Sequence, residues 1–191
     1  RELHLSIRRQ RQMCIRDRAK KEYLAIVIGW PELDTWECDE SIARAGEIGV
    51  SDIWVRQVVS PLGKQCLTRF QVERRFEREE GKFALIRCFP ETGRMHQIRV
   101  HLASTGHPIV GDKIYSGTGS EYLEWMETGW TSELRERLIL SRHALHAAVL
   151  EIQWKGRAIR WEADLGRDMG EFLEGKAIST IPEIVIWNRH D

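Results

Sequence analysis

The stretch G-R-M-H-Q-I-R-V-H-L-A-S-T-G-H-P-I-V-G-D-K-I-Y, from Gly93 to Tyr115, holds two arginines, three histidines, a glutamine and an aspartate. Guanidinium groups grip carboxylates and phosphates through paired hydrogen bonds, and imidazoles bind metals or move protons. A metal is disfavoured by the spacing. His96 and His101 are five apart, not the i, i+4 of H-E-x-x-H, and no glutamate lies between them. Arg99 stands in the middle of the stretch, and what it holds is the question the sequence raises.

Thr92 is the predicted cap of a helix from about Gly93 to Thr105, stopped by Gly106 and Pro108. At 100° per residue Met95, Ile98, Leu102 and Ala103 form one stripe with Arg99 in its middle, while Arg94, Gln97 and His101 fall opposite. Ile98, Val100 and Leu102 also alternate as a strand would, which would turn Arg99 away from them. An inward arginine needs a carboxylate, since breaking a buried pair costs about 3–5 kcal/mol. Asp112 is one candidate for an ordinary structural pair. A partner outside this stretch is the other.

The surrounding elements read as strands that pair in hairpins. Glu22–Trp30 is a short apolar run closed by Gly29 and Pro31. Cys66–Phe76 and Lys82–Phe89 flank a turn, as do the halves of Ala144–Leu165 around Lys155–Gly156. Residues 32–60 read as irregular with one short strand, and 121–138 as one or two helices. A closing helix follows, with Asp168 as N-cap and Gly175 past its end. The expected fold class is α+β: a mostly antiparallel, mixed sheet with flanking helices.

A 42% hydrophobic and 30% charged chain of 191 residues suits one globular domain. No apolar run approaches the ~18 residues of a spanning helix, and no cleavable signal is evident. Cys14, Cys38, Cys66 and Cys88 show no C-x-x-C spacing, which favours reduced thiols in the cytoplasm. The eight tryptophans read as packing residues rather than base-stacking ones.

Arg1–Arg18, R-E-L-H-L-S-I-R-R-Q-R-Q-M-C-I-R-D-R, is basic and lacks apolar periodicity. R-R-Q-R-Q-M-C-I-R-D is the translation of CGT CGG CAG CGT CAG ATG TGT ATA AGA GAC, a tagmentation sequencing adapter. Residues 1–18 are therefore expected to be non-native, with 19–191 as the genuine segment. A natural basic arm for nucleic acid fits the charge but not that coincidence. Of 29 basic and 29 acidic residues, six and two lie in this segment, leaving 23 and 27 and a net charge of −4. Any RNA affinity must then come from a local basic patch.

The Gly93–Tyr115 stretch resembles the signature of the RluA-type RNA pseudouridine synthases, G-R-x-H-Q-[IL]-R-x-H followed by G-H-P-I-x-G-D-x-x-Y. Lys20–Gly29 is similar to that family's K-x-Y-x-A strand, Gly63–Val72 to its G-K-x-A-x-T strand, and Arg142–Ile152 to its L-H-A strand. The departures are Cys66–Leu67, Q-W-K-G-R-A-I in place of an H-P turn, and an insert around residues 117–140. They bear on subfamily and substrate. The resemblance implies isomerisation of uridine to pseudouridine in ribosomal or transfer RNA, without a cofactor or metal, by a cytoplasmic monomer. It implies that Tyr23 stacks on the flipped base and assists removal of the C5 proton, and that Arg99 pairs with a nucleophilic aspartate. Lys20, Lys21, Arg94, His96 and Gln97 would contact RNA.

In this family the aspartate sits in an R-L-D-x-x-T-S-G stretch before the tyrosine strand, and the sequence contains none. The chain is therefore expected to be the C-terminal part of an incomplete catalytic domain and to be inactive. Arg99 is expected to lack a short bidentate carboxylate partner and to face one open cleft with Tyr23. The rival reading is a non-catalytic RNA-binding module, and a purely structural domain would leave Arg94, His96 and Arg99 without a purpose.

The reading of residues 1–18 has a direct test. Deleting them should change stability by less than about 0.5 kcal/mol in a urea titration. A larger loss would make them part of the fold.

Overall fold

The computed structural model describes residues 19–176 except Val50 and Asp52; the expected adapter segment, Arg1–Arg18, lies outside the described residues. The elements in chain order are β1 (Lys20–Ile28), β2 (Thr35–Cys38), β3 (Ile42–Arg44), a 3-10 turn (Ala45–Glu47), β4 (Gln57–Val59), β5 (Thr68–Arg78), β6 (Gly81–Pro90), α1 (Gln97–Ser104), α2 (Ser120–Thr128), α3 (Ser132–Leu138), β7 (Leu145–Trp154), β8 (Arg157–Glu162) and α4 (Arg167–Leu173). Six strands form one antiparallel sheet in the order β2-β5-β6-β1-β7-β8, with β3 and β4 as a separate pair. The α+β class and both hairpins stand as read. Residues 32–60 hold three short strands where one was expected.

Strand β1 is second from neither edge: β6 and β7 flank it, and Ala25, Ile26 and Val27 are fully buried. Successive residues point to opposite faces, so burial of all three means that both faces are covered there, which accounts for the continuous apolar run. At its other end the register against β7 shifts between Glu22 and Tyr23. A bulge of this kind twists the local backbone and re-aims the neighbouring side chains, and Tyr23 is the residue beside it. Phe76, Phe83 and Phe172 meet edge to face or tilted, so α4 is anchored on the β5–β6 hairpin. At the tip of β7–β8, Lys155 and Gly156 both take positive φ (47° and 77°), the geometry of a two-residue hairpin turn.

Helix α1 is shorter than its sequence pattern suggests. Thr92 does not cap it. His96, at φ 57°, is left-handed and interrupts any earlier turn, so regular helix starts at Gln97. Thr92 instead donates through its hydroxyl to Gln97 Oε1 (2.8 Å), which also accepts from the Arg94 amide (3.0 Å). A side chain thus organises residues 92–96, where backbone bonds would have done so in a longer helix. The predicted stop is found: Gly106 is at φ 84°, the His107 amide donates to Leu102 O (2.8 Å) and that of Gly106 to Ala103 O (3.1 Å).

Helix α4 also begins differently from expectation. Gly166 precedes it as the cap, while Asp168 lies within the first turn and accepts from Arg142 Nη2 (2.6 Å). The carboxylate is drawn to the arginine before β7 rather than to the helix's own amides.

Candidate active site

Gln97 and His101 lie four apart and so share one side of α1. Both are buried, and each polar atom is used. Gln97 Nε2 donates to Leu67 O (3.0 Å) and to Thr68 Oγ1 (3.0 Å). The Glu40 carbonyl can only accept, so His101 carries its proton on Nε2, 2.9 Å away. His101 Nδ1 is then an acceptor for the Thr68 hydroxyl at 2.9 Å. This directional chain, Gln97 to Thr68 to His101 to Glu40, fastens α1 to β5. Gln97 was expected to touch RNA; at 3% exposure, with its amide engaged inside the fold, it is a clamp instead.

Arg99 points the other way. Its Nε donates to Asp112 Oδ2 and its Nη2 to Asp112 Oδ1, both at 2.7 Å. The expectation that Arg99 lacks a bidentate carboxylate partner is therefore corrected. Asp112 is fully buried and the Arg99 side chain is 12% exposed. The physical reason lies in Gly111 and the turn after it. Gly111 takes φ 76°, and a Cβ there would run into the Arg142 carbonyl and come within 2.8 Å of Leu140 O. This close approach buries Asp112, whose Oδ1 also accepts from the amides of Ile114 (3.1 Å) and Tyr115 (3.2 Å). The carboxylate is thus satisfied from its own turn as well as by the guanidinium, as a buried charge must be.

The same turn brings Tyr115 beneath Arg99, with the guanidinium 4.9 Å from the ring centroid. The Tyr115 hydroxyl accepts from the Gln57 amide (2.9 Å) and lies 2.9 Å from His96 Nδ1. Burial pushes the phenol up to about 12, so it keeps its proton. Donating that proton to Nδ1 satisfies every group, and it leaves the His96 proton on Nε2. Burial, followed by the Arg99 charge, pushes His96 down to about 4, and His143 is lowered for the same two reasons.

These groups border an open groove of about 540 Å³ lined by Lys21, Tyr23, Arg94, His96, Arg99 and His143, among others. Tyr23 and Arg99 therefore face one groove, as expected. The lining holds three cations and no acidic residue among the described residues. Lys20 does not line this groove: strand alternation sends it to the opposite face from Lys21, where it pairs with Glu151 at 3.3 Å. Glu22, on that same face, meets Arg87 (2.9 Å) and Arg160 (3.7 Å). His143 and Tyr115 were not singled out in the sequence. The G-D-x-x-Y spacing, which sets a turn between Asp112 and Tyr115, was the available signal for the latter.

The RNA pseudouridylate synthase family model matches residues 6–104. That is over half of the chain. The chain belongs to the RNA pseudouridine synthases, on the RluA-type branch. It is 36% identical over 166 residues to ribosomal large subunit pseudouridine synthase D of Nitrosomonas europaea, covering 85% of this chain and 42% of that one. It is 33% identical to an RNA pseudouridine synthase of Helicobacter pylori, covering 88% and 53%. The chain thus spans about half the length of the curated relatives it matches. Human RNA pseudouridylate synthase domain containing 4 shares the fold at a TM-score of 0.61 and 21% identity, over 92% of this chain and 67% of the other. Human domain containing 1 gives 0.60 and 24%, over 78% and 55%.

Two measurements probe this site. Asp112→Asn leaves the Arg99 charge without its counter-ion and should lower stability by about 3–5 kcal/mol; a loss below 1 kcal/mol in a urea titration would show that the pair is not buried as described. Three histidines contribute to the pH dependence, since His101 is lowered by burial as well. All stay neutral in the folded chain at pH values where an unfolded histidine, near 6.5, takes up a proton. The unfolded state then binds more protons, so stability should fall as pH drops from about 6.5 towards 4 and be unaffected by these groups above that range. His96→Gln should flatten the slope of the urea midpoint between pH 6.5 and 5. An unchanged slope would contradict the assignment.

Proposed function

We propose that this chain carries the uridine-facing wall of an RNA pseudouridine synthase, cofactor-free, acting on structured RNA in the cytoplasm as a monomer. Large-subunit ribosomal RNA is favoured over transfer RNA because the Nitrosomonas europaea relative is named for that substrate. The free thiols of Cys38, Cys66 and Cys88 fit a reducing compartment.

One observation carries the reading. Arg99 is held side-on by Asp112 through Nε and Nη2, which leaves Nη1 with no hydrogen bond among the described residues, on a groove that contains Tyr23 and no acid. Such a wall is complementary to an anion that comes from elsewhere. In the proposed reaction that anion is the aspartate of an R-L-D-x-x-T-S-G segment, which this sequence lacks. Arg99 would hold it ionised and oriented. Tyr23 would lie on the face of the flipped uracil while the N1–C1′ bond breaks, the ring turns and the C5–C1′ bond forms. Its phenol would assist removal of the C5 proton, and N1 gains a proton, so the product is an isomer of the substrate. Lys21 and Arg94 would meet the flanking phosphates. His96, neutral and with its proton on Nε2, would act as a hydrogen-bond donor rather than as a charge.

The 191-residue chain should therefore form no pseudouridine on ribosomal or transfer RNA by chemical mapping. Replacing residues 1–18 with the R-L-D-bearing segment of the Nitrosomonas europaea synthase should create the activity. Changing the aspartate of the graft to alanine should abolish it. Turnover by the ungrafted chain would refute the assignment of the missing residue.

A further inference from the structure

The β7–β8 hairpin has two faces of different chemistry, and one of them continues the groove. Cross-strand partners share a face, so the register defines each row. Lys21 is opposite Leu150, and Leu150 is opposite Trp161; Ile152 then meets Ile159, and Trp154 meets Arg157. These rows lie on the side of the sheet that Lys21 and Tyr23 present to the groove. The alternate rows set Lys20, Glu151 and Arg160 together, with Glu22 and Glu162 beside them. There every acid is paired: Glu151 to Lys20 (3.3 Å), and Glu22 (3.7 Å) and Glu162 (2.6 Å) to Arg160. The hairpin's acids are thus confined to one face and neutralised there. The groove-side rows hold no acid at all.

On that side Trp161 is 49% and Trp154 50% exposed, and Leu150 is exposed too. Arg157 and the turn residue Lys155 make no ion pair among the described residues. Both line a second cavity of about 530 Å³ with Trp154. Two open indoles about seven residues apart on adjacent strands, interleaved with unpaired cations and starting at Lys21, form a track. Its charge and its aromatic faces match a single-stranded polyanion with stackable bases.

We infer that single-stranded RNA flanking the target uridine runs along this face, with bases stacked on Trp161 and Trp154 and phosphates against Lys21, Arg157 and Lys155. This extends the reading of the groove given above and rests on it. It assigns the hairpin a part in substrate recognition away from the reacting base. A stacking track is tolerant of sequence, so it contributes affinity and orientation rather than choice of base.

The test uses the whole 191-residue chain and a fluorescein-labelled 12-nucleotide oligouridylate. Binding is measured by anisotropy, together with quenching of tryptophan emission. Trp161→Ala and Trp154→Ala, both at exposed positions, should each weaken binding by roughly 5- to 100-fold, and Arg157→Glu should weaken it and lower the salt dependence. Circular dichroism checks that each variant is folded. Hairpin variants that bind as tightly as the parent overturn the track. If Arg94→Glu abolishes binding while they do not, the groove reading survives and only the track fails; if Arg94→Glu is also silent, both fail. Failure of the parent to bind also overturns the track. Concentration-dependent self-association that Trp161→Ala abolishes would give this face to a second copy of the chain and overturn it as well.

Discussion

The buried pair between Arg99 and Asp112 is the constraint from which the groove takes its form. A guanidinium packed against β-sheet and helix is unstable without a counter-charge, and a fully buried carboxylate is equally so. Each is satisfied by the other, and the turn amides of Ile114 and Tyr115 complete the carboxylate's shell. Because two of the guanidinium nitrogens are fixed, the direction of the third is fixed as well. Tyr115 under the guanidinium plane, and His96 on the Tyr115 hydroxyl, extend that rigidity to the floor of the site.

Helix α1 separates structure from chemistry by side-chain direction. Gln97 and His101 spend their hydrogen bonds on β5 and on Glu40, holding the helix down. Arg99, between them in sequence, is turned towards the groove. Eight residues of helix would be marginal alone; here buried polar links and the apolar contacts of Ile98 and Leu102 hold it in place. The groove is positively charged because no acid lines it among the described residues, and Asp112 lies behind Arg99.

Much of this is legible in the sequence. The hairpins followed from turn residues and alternation, because local chemistry decides them; Lys155–Gly156 is an example. The start of α1 was not legible. The cap pattern at Thr92 is a local signal, and it was overridden by Gln97 reaching back to Thr92 and Arg94, a contact that exists only once β5 supplies partners for the other end of the amide. The expectation that Arg99 lacks a bidentate carboxylate partner failed for a related reason. Whether Asp112 could reach it depended on how closely Gly111 passes the Arg142 carbonyl, a tertiary distance. Lys20 and Lys21 were indistinguishable by type, and only the strand register assigns one to the ion-pair face and the other to the groove. The short strands of residues 32–60 lack strong periodicity: β2 is defined by its pairing with β5, and β3 and β4 by their pairing with each other.

The central claim is that the groove between Tyr23 and Arg99 is the seat of the target uridine. Photocrosslinking tests it without requiring turnover. RNA substituted with 4-thiouridine, bound to the chain and irradiated, should give a crosslinked peptide that contains Tyr23, identified by mass spectrometry. The yield should fall sharply when Arg99 is replaced by alanine in a variant that remains folded. Crosslinks confined to surfaces away from this groove, with Tyr23 unmodified, would contradict the account.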